Sequence, residues 1–191
     1  MSRQIGLKDF SIAVLKTDDI SGVTYDAVKK LERSVSAKIT PKTDSSPQYS
    51  DDSLEEVINS FSSVDVEIEL NQLSLASRAI LLGKTLINGV MVENKDDVTT
   101  SPYVALIFKS KKSNGAYRYV CLYKGKFELA EEDYETTADK IKAQTAKLKG
   151  TFMPRQFDGN WRLIGDSDAT GAVVADLDKW FTTVPTVPVA A

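Results

Sequence analysis

The sequence predicts a mainly β protein with a single flanking helix, and three stretches carry that prediction. Residues 102–129 read as two long strands around Ser113-Asn114-Gly115, because Asn and Gly accept the positive φ of a tight hairpin while β-branched and aromatic residues flank them. Residues 63–70 alternate strictly, with Val64, Val66, Ile68 and Leu70 on one face and Asp65, Glu67 and Glu69 on the other. Residues 74–82 alone carry a full set of helix signals: Ser74 to cap the start, an apolar stripe through Leu75, Ala79 and Leu82, and Gly83 to end it.

Taken in order, the chain offers a strand at about 10–15, a turn-rich 17–22, and a strand reaching Lys42 in which Val35, Ala37 and Ile39 alternate with polar neighbours. Residues 43–62 are polar and poorly periodic and read as a long loop. Within it, Leu54, Val57, Ile58 and Phe61 have a spacing that suits either a short amphipathic helix or a loop that orders against a neighbouring chain. After the helix, Asn88-Gly89 marks a hairpin over 86–92. The second strand of the long hairpin, if straight over 116–128, would run about 44 Å in a globule roughly 40 Å across, so it bends near Gly125 or projects. An acidic 131–135, a strand near 144–155, an Asp158-Gly159 turn into 160–164 and a short helix within 172–181 complete the elements. Residues 182–191, with Pro185 and Pro188, read as an extended tail. The expected organisation is thus a β domain over 1–170 and a short helix with a tail over 171–191.

Composition narrows the function. With no histidine, the commonest general base and metal ligand is missing. Cys121 is the sole cysteine and has no internal disulfide partner. Gly83-Lys84-Thr85 ends like a phosphate loop, but Arg78 stands where its first glycine belongs. The string from Asp166 to Thr170 starts like a calcium loop, yet Leu177 replaces the bidentate carboxylate. The expectation is therefore no catalytic, cofactor or metal site. A net charge of −3 argues against a general DNA-binding surface, and no signal peptide or membrane-spanning run is read, which points to synthesis in the cytoplasm.

Several strings, in order and spacing, resemble one family. They are Ile5-Gly-Leu-Lys-Asp-Phe10, Ser36-Ala-Lys-Ile-Thr-Pro-Lys-Thr43, Tyr49-Ser-Asp-Asp52, Leu81-Leu-Gly83, Pro102-Tyr-Val-Ala-Leu106, Ser113-Asn-Gly115, Tyr117-Arg-Tyr-Val120, Leu122-Tyr-Lys-Gly-Lys-Phe127 and Leu148-Lys-Gly-Thr-Phe152. Together they resemble the major tail, or tail-tube, proteins of long non-contractile-tailed bacteriophages, in particular the group called phi13-like, over residues 5–163. Ser53-Leu-Glu-Glu departs from the Gly- or Pro-rich turn expected there, and residues 182–191 match nothing in the pattern.

The resemblance implies a β-sandwich or barrel-like tail-tube fold with one flanking helix, assembling as hexameric rings stacked into a hollow tube in the virion. Its implied partners are other copies of itself, a tape-measure protein, tail-tip and terminator proteins, and double-stranded DNA passing without specific binding; no membrane is involved. The 43–62 loop, through Tyr49, Asp51, Asp52, Leu54, Val57, Ile58 and Phe61, and the long hairpin with its Asn114-Gly115 turn are the expected bearers of contacts between subunits. Asp65, Glu67 and Glu69 are expected to face the lumen, with Lys38, Lys147 and Lys149 offsetting them if their strands are neighbours. Two alternatives stay open: within what the resemblance implies, a tail-terminator or other ring component of a phage tail or secretion tube, and, more distantly, a carboxylate-dependent hydrolase or ligand-binding barrel.

Overall fold

The computed structural model describes residues 2–50, 53–96, 100–128 and 145–188, and for Tyr49, Ser50, Leu54 and Glu55 the backbone alone. Nine strands form one antiparallel sheet: β1 (Gln4–Asp19), β2 (Gly22–Tyr25), β3 (Lys29–Lys30), β4 (Ser34–Ser50), β5 (Ser53–Leu70), β6 (Val104–Lys112), β7 (Tyr117–Phe127), β8 (Ala146–Phe152) and β9 (Arg162–Asp166). Their order is β2-β1-β6-β7-β8-β5-β4, with β3 also on β1 and β9 also on β7. Helix α1 (Leu75–Leu82) lies between β5 and β6. Helix α2 (Val174–Asp178) and a 3-10 turn (Lys179–Phe181) follow β9.

Side-chain alternation sends one face of the sheet into a single core. Phe10 and Ile12 of β1, Leu106 and Phe108 of β6, Val120 and Leu122 of β7, Leu148 and Phe152 of β8 and the four apolar residues of β5 pack there with Leu81 of α1. A sheet whose near and far strands share one core must curl upon itself, the sandwich-like arrangement expected. At the seam β1 approaches β4, and the Leu31 N–H donates to the Phe10 carbonyl at 2.8 Å. The opposite face of β1, β6 and β7 holds a second core of Ala13, Ala105, Ile107, Tyr119, Cys121 and Tyr123, covered by Trp180 and Val184 from the C-terminal segment. Burial pushes the Cys121 thiol well above its ordinary pKa, so it is an inert core residue.

Local chemistry explains the ends of the elements. The Ser74 hydroxyl accepts from the Ser77 N–H at 3.2 Å, and Gly83 closes α1 at φ 66°. The segment expected to bend near Gly125 is irregular there: β7 gives residues 118–122 to β9 and 125–127 to β8, with a register shift against β6 between them. A side chain at Gly125 would put its Cβ 2.4 Å from the Phe152 ring, so glycine is what lets that ring cross the strand.

Two expectations are corrected. The described part of 43–62, residues 43–50 and 53–62, is not a loop or a helix but the outer halves of β4 and β5, paired from Thr43↔Phe61 to Ser50↔Ser53. Backbone pairing satisfies this polar stretch where side-chain burial does not. The hairpin expected over 86–92 shrinks to one bridge, Ile87↔Val90, around Asn88 (φ 50°) and Gly89 (φ 78°). Its flanks find no third strand among the described residues, and an isolated two-stranded pair is marginal in water. The acidic 131–135 lies outside the described residues.

Candidate assembly surfaces

Among the described residues nothing covers the outer face of β8, β5 and β4. Because Val64, Val66, Ile68 and Leu70 enter the core, Asp65, Glu67 and Glu69 look the other way. The register brings Glu67 between Lys38 and Lys149, Glu69 between Ser36 and Lys147, and Asp65 between Thr40 and Thr151. Lys42 reaches Asp65 at 2.6 Å, and Lys38 stands 4.0 Å from Glu67. Glu69 accepts from the Thr145 hydroxyl at 2.6 Å and from the Ser36 hydroxyl at 3.2 Å. These bonds, Thr145 foremost, hold its carboxyl below the ordinary range. Asp65, Glu67 and Glu69 therefore sit among Lys38, Lys42, Lys147 and Lys149, a mixed-sign ladder rather than an anionic row. A groove of 370 Å³ runs across it, between Lys38, Glu67, Glu69, Lys147 and Lys149.

The second surface is the arm formed by the outer halves of β4 and β5. β8 accompanies β5 only from Val64 to Leu70. Beyond that point, among the described residues, β4 and β5 pair with each other alone, and residues 41–48 and 56–62 are exposed on both faces of the ribbon. The sequence-predicted residues divide within it. Phe61 and Val57 lie on the row that continues the core face, while Ile58 lies on the opposite row, so no single apolar stripe exists. Tyr49 and Leu54 are near the tip, paired through their backbones, and Asp51 and Asp52 lie outside the described residues.

Sequence reasoning missed the root of this arm. Lys42 pairs with Ser63 and Thr43 with Phe61, which leaves Ser62 as an extra residue in β5. Phe61 stacks on Trp161 with ring centroids 5.4 Å apart and planes inclined by 24°, and the Arg162 guanidinium lies 4.3 Å from the Trp161 ring on its own account. Nothing local in the sequence joins these two aromatic residues, which are a hundred positions apart.

The Asn114-Gly115 turn is present, with Gly115 at φ 88°, but it does not project freely. The Asn114 amide donates to Asp168 at 2.8 Å. Lys112, almost fully buried, lies between Asp168 and Asp166, and Arg118 grips Asp166 in two-pronged fashion at 2.7 and 2.6 Å. Arg118 first, then Lys112, hold the Asp166 carboxyl far below the usual carboxylate range. The turn is thus locked to the end of β9.

Among the described residues no cluster of His, Cys, Asp and Glu has the makings of a metal site, and no helix is long and apolar enough to cross a membrane. No curated protein matches the chain. A family model described as phage tail tube protein matches residues 16–171.

Proposed function

Since the chain belongs to the phage tail tube protein family, we propose that it is the structural subunit of a tail tube, assembling as hexameric rings that stack into a conduit for the genome, without catalysis. The observation that carries this reading is the β4–β5 arm. A two-stranded ribbon exposed on both faces is marginal by itself, and among the described residues β4 has no partner along its outer edge. Docking against another copy of the chain supplies what the free subunit lacks. A contact between unlike patches closes a ring when its rotation allows, and a second such contact stacks rings into a filament.

The mixed-sign ladder is assigned to the lumen. Among the described residues it is the broad sheet face that neither core nor C-terminal segment covers; Lys42 and Lys38 pair with Asp65 and Glu67, and Lys147 and Lys149 stand opposite Glu69 and Glu67, so positive charge is interleaved with negative rather than gathered into a track for phosphates. The wall would let DNA slide by neutralising its own charge rather than by repelling the polyanion.

Electron microscopy of the purified protein tests the reading, together with a variant whose residues 43–61 are replaced by an Asn-Gly turn. The wild-type chain is expected to form rings or tubes as concentration rises, and the shortened chain to stay folded and dispersed. A wild-type chain that remains monomeric at high concentration, even when seeded with preformed tail tips, would rule the reading out.

A further inference from the structure

We propose that Ser62 and the Phe61–Trp161 stack form a rigid joint at the root of the arm, and that this joint sets the angle at which one copy of the chain reaches the next. The inference rests on the arm being an intermolecular contact, as proposed above.

The geometry of the extra residue is the starting point. In a regular strand, Phe61 would share the row of Ser63, Asp65, Glu67 and Glu69 and point to the charged face. Ser62 inserts one residue, so that Phe61 pairs with Thr43, on the row that Val64, Val66 and Ile68 occupy. Because Ser62 is looped out of the ladder, a bend is placed between Phe61 and Ser63, and Phe61 keeps the core row. There it meets Trp161, which is half-buried and packs against the main core. A bulge also bends its strand and increases the local twist, so it changes the direction of everything beyond it. Here everything beyond it is the arm.

Trp161 is itself held. Its carbonyl accepts from the Tyr123 N–H of β7 at 3.1 Å. The residues leading to it are clamped: Asp18 accepts from the Gln156 and Phe157 N–H groups at 2.9 and 3.0 Å and pairs with Lys124 at 2.6 Å. Arg155, buried over the Tyr123 ring, pairs with Asp158, and its N–H donates to the Asn160 carbonyl at 3.0 Å. A line of constraint therefore runs from the centre of the sheet through the 153–161 segment to the Trp161 ring and on to Phe61. Past Phe61 the ribbon has no third strand among the described residues. If the arm has a fixed direction in the free subunit, this is where it is fixed.

The test compares Trp161→Ala, Phe61→Ser, Trp161→Phe, deletion of Ser62 and the shortened arm. The readouts are the concentration at which tubes form, their axial rise and rotation per ring by electron cryomicroscopy, and hydrogen exchange of residues 43–61 in the free subunit. Phe61 is exposed enough that its serine variant folds even if Trp161→Ala does not. Both are expected to raise the assembly concentration roughly ten-fold, the effect of losing an aromatic pair, and to give tubes of altered or variable rotation per ring. Trp161→Phe should restore both values. Deletion of Ser62 leaves Phe61 opposite Thr43 on the core row but removes the bulge and its bend, so it should change the rotation per ring while the aromatic stack stays intact. The joint is refuted if Phe61→Ser and Ser62 deletion give tubes of wild-type rise, rotation and assembly concentration while the shortened arm abolishes assembly. If the shortened arm assembles normally, the arm is not an intermolecular contact and the inference falls with that reading.

Discussion

At the scale of single residues, the ion network under the β6–β7 turn and the glycine beneath Phe152 make the sharpest predictions. Asp166 is bonded to Arg118 and Lys112, and its folded pKa lies well below the value of about 3.9 that it has in an unfolded chain. Its stabilising contribution is therefore complete above about pH 4 and is lost as the pH falls toward the folded value. Asp18 adds in the same sense: burial works against its charge, but the Gln156 and Phe157 amides and the Lys124 ammonium outweigh it. Acid titration followed by circular dichroism should show stability falling below about pH 4, and Asp166→Asn should cost about 2 kcal/mol at neutral pH while flattening that fall. Gly125→Ala should cost more than about 2 kcal/mol in a denaturant melt, since the added Cβ overlaps a ring fixed by the core. Neither relation was legible beforehand. The alternation that put Asp65, Glu67 and Glu69 on one face was plain, but the lysines that neutralise them come from strands distant in sequence, and only the register reveals which lysine meets which acid.

At the scale of elements, the helix and the strands that bury one face were readable, because Ser74, Gly83 and the period-two pattern of 63–70 are local signals. The arm was hidden for a physical reason. Both of its faces meet water, so nothing in its sequence has to alternate, and Ser, Asp and Pro in 43–50 lower its strand propensity. Its proline, Pro47, sits on the edge strand, where a missing N–H costs least. A ribbon with little side-chain burial should open locally far below the global unfolding energy. Amides of residues 43–48 and 56–61 are expected to exchange quickly in the free subunit, those of 64–70 slowly, and the former to become protected on assembly. Equally slow exchange of both sets in the free subunit would contradict this.

At the scale of the whole molecule, the two cores account for the curl of the sheet, and the uncovered ladder and arm account for what a neighbour could use. Replacing Asp65, Glu67 and Glu69 by Lys should leave subunits folded, because exposed pairs contribute about 0–1 kcal/mol each, and should leave tubes assembled. In particles carrying such tubes DNA release should slow, most clearly at low salt, where screening beyond a Debye length of about 8 Å at physiological strength is relaxed. An unchanged release rate at every ionic strength, or a tube structure with these side chains on its outer surface, would make the ladder a solvated exterior. The inserted Ser62 has a consequence of leverage. At about 3.4 Å per residue, the arm from Thr43 to Ser50 reaches about 27 Å past its root, so an error of about 10° at the root swings the tip by about 5 Å, one full strand spacing. A filament repeating that swing at every level would compound it, and the straightness of a structure many subunits long would be set by the tolerance of a single inserted serine.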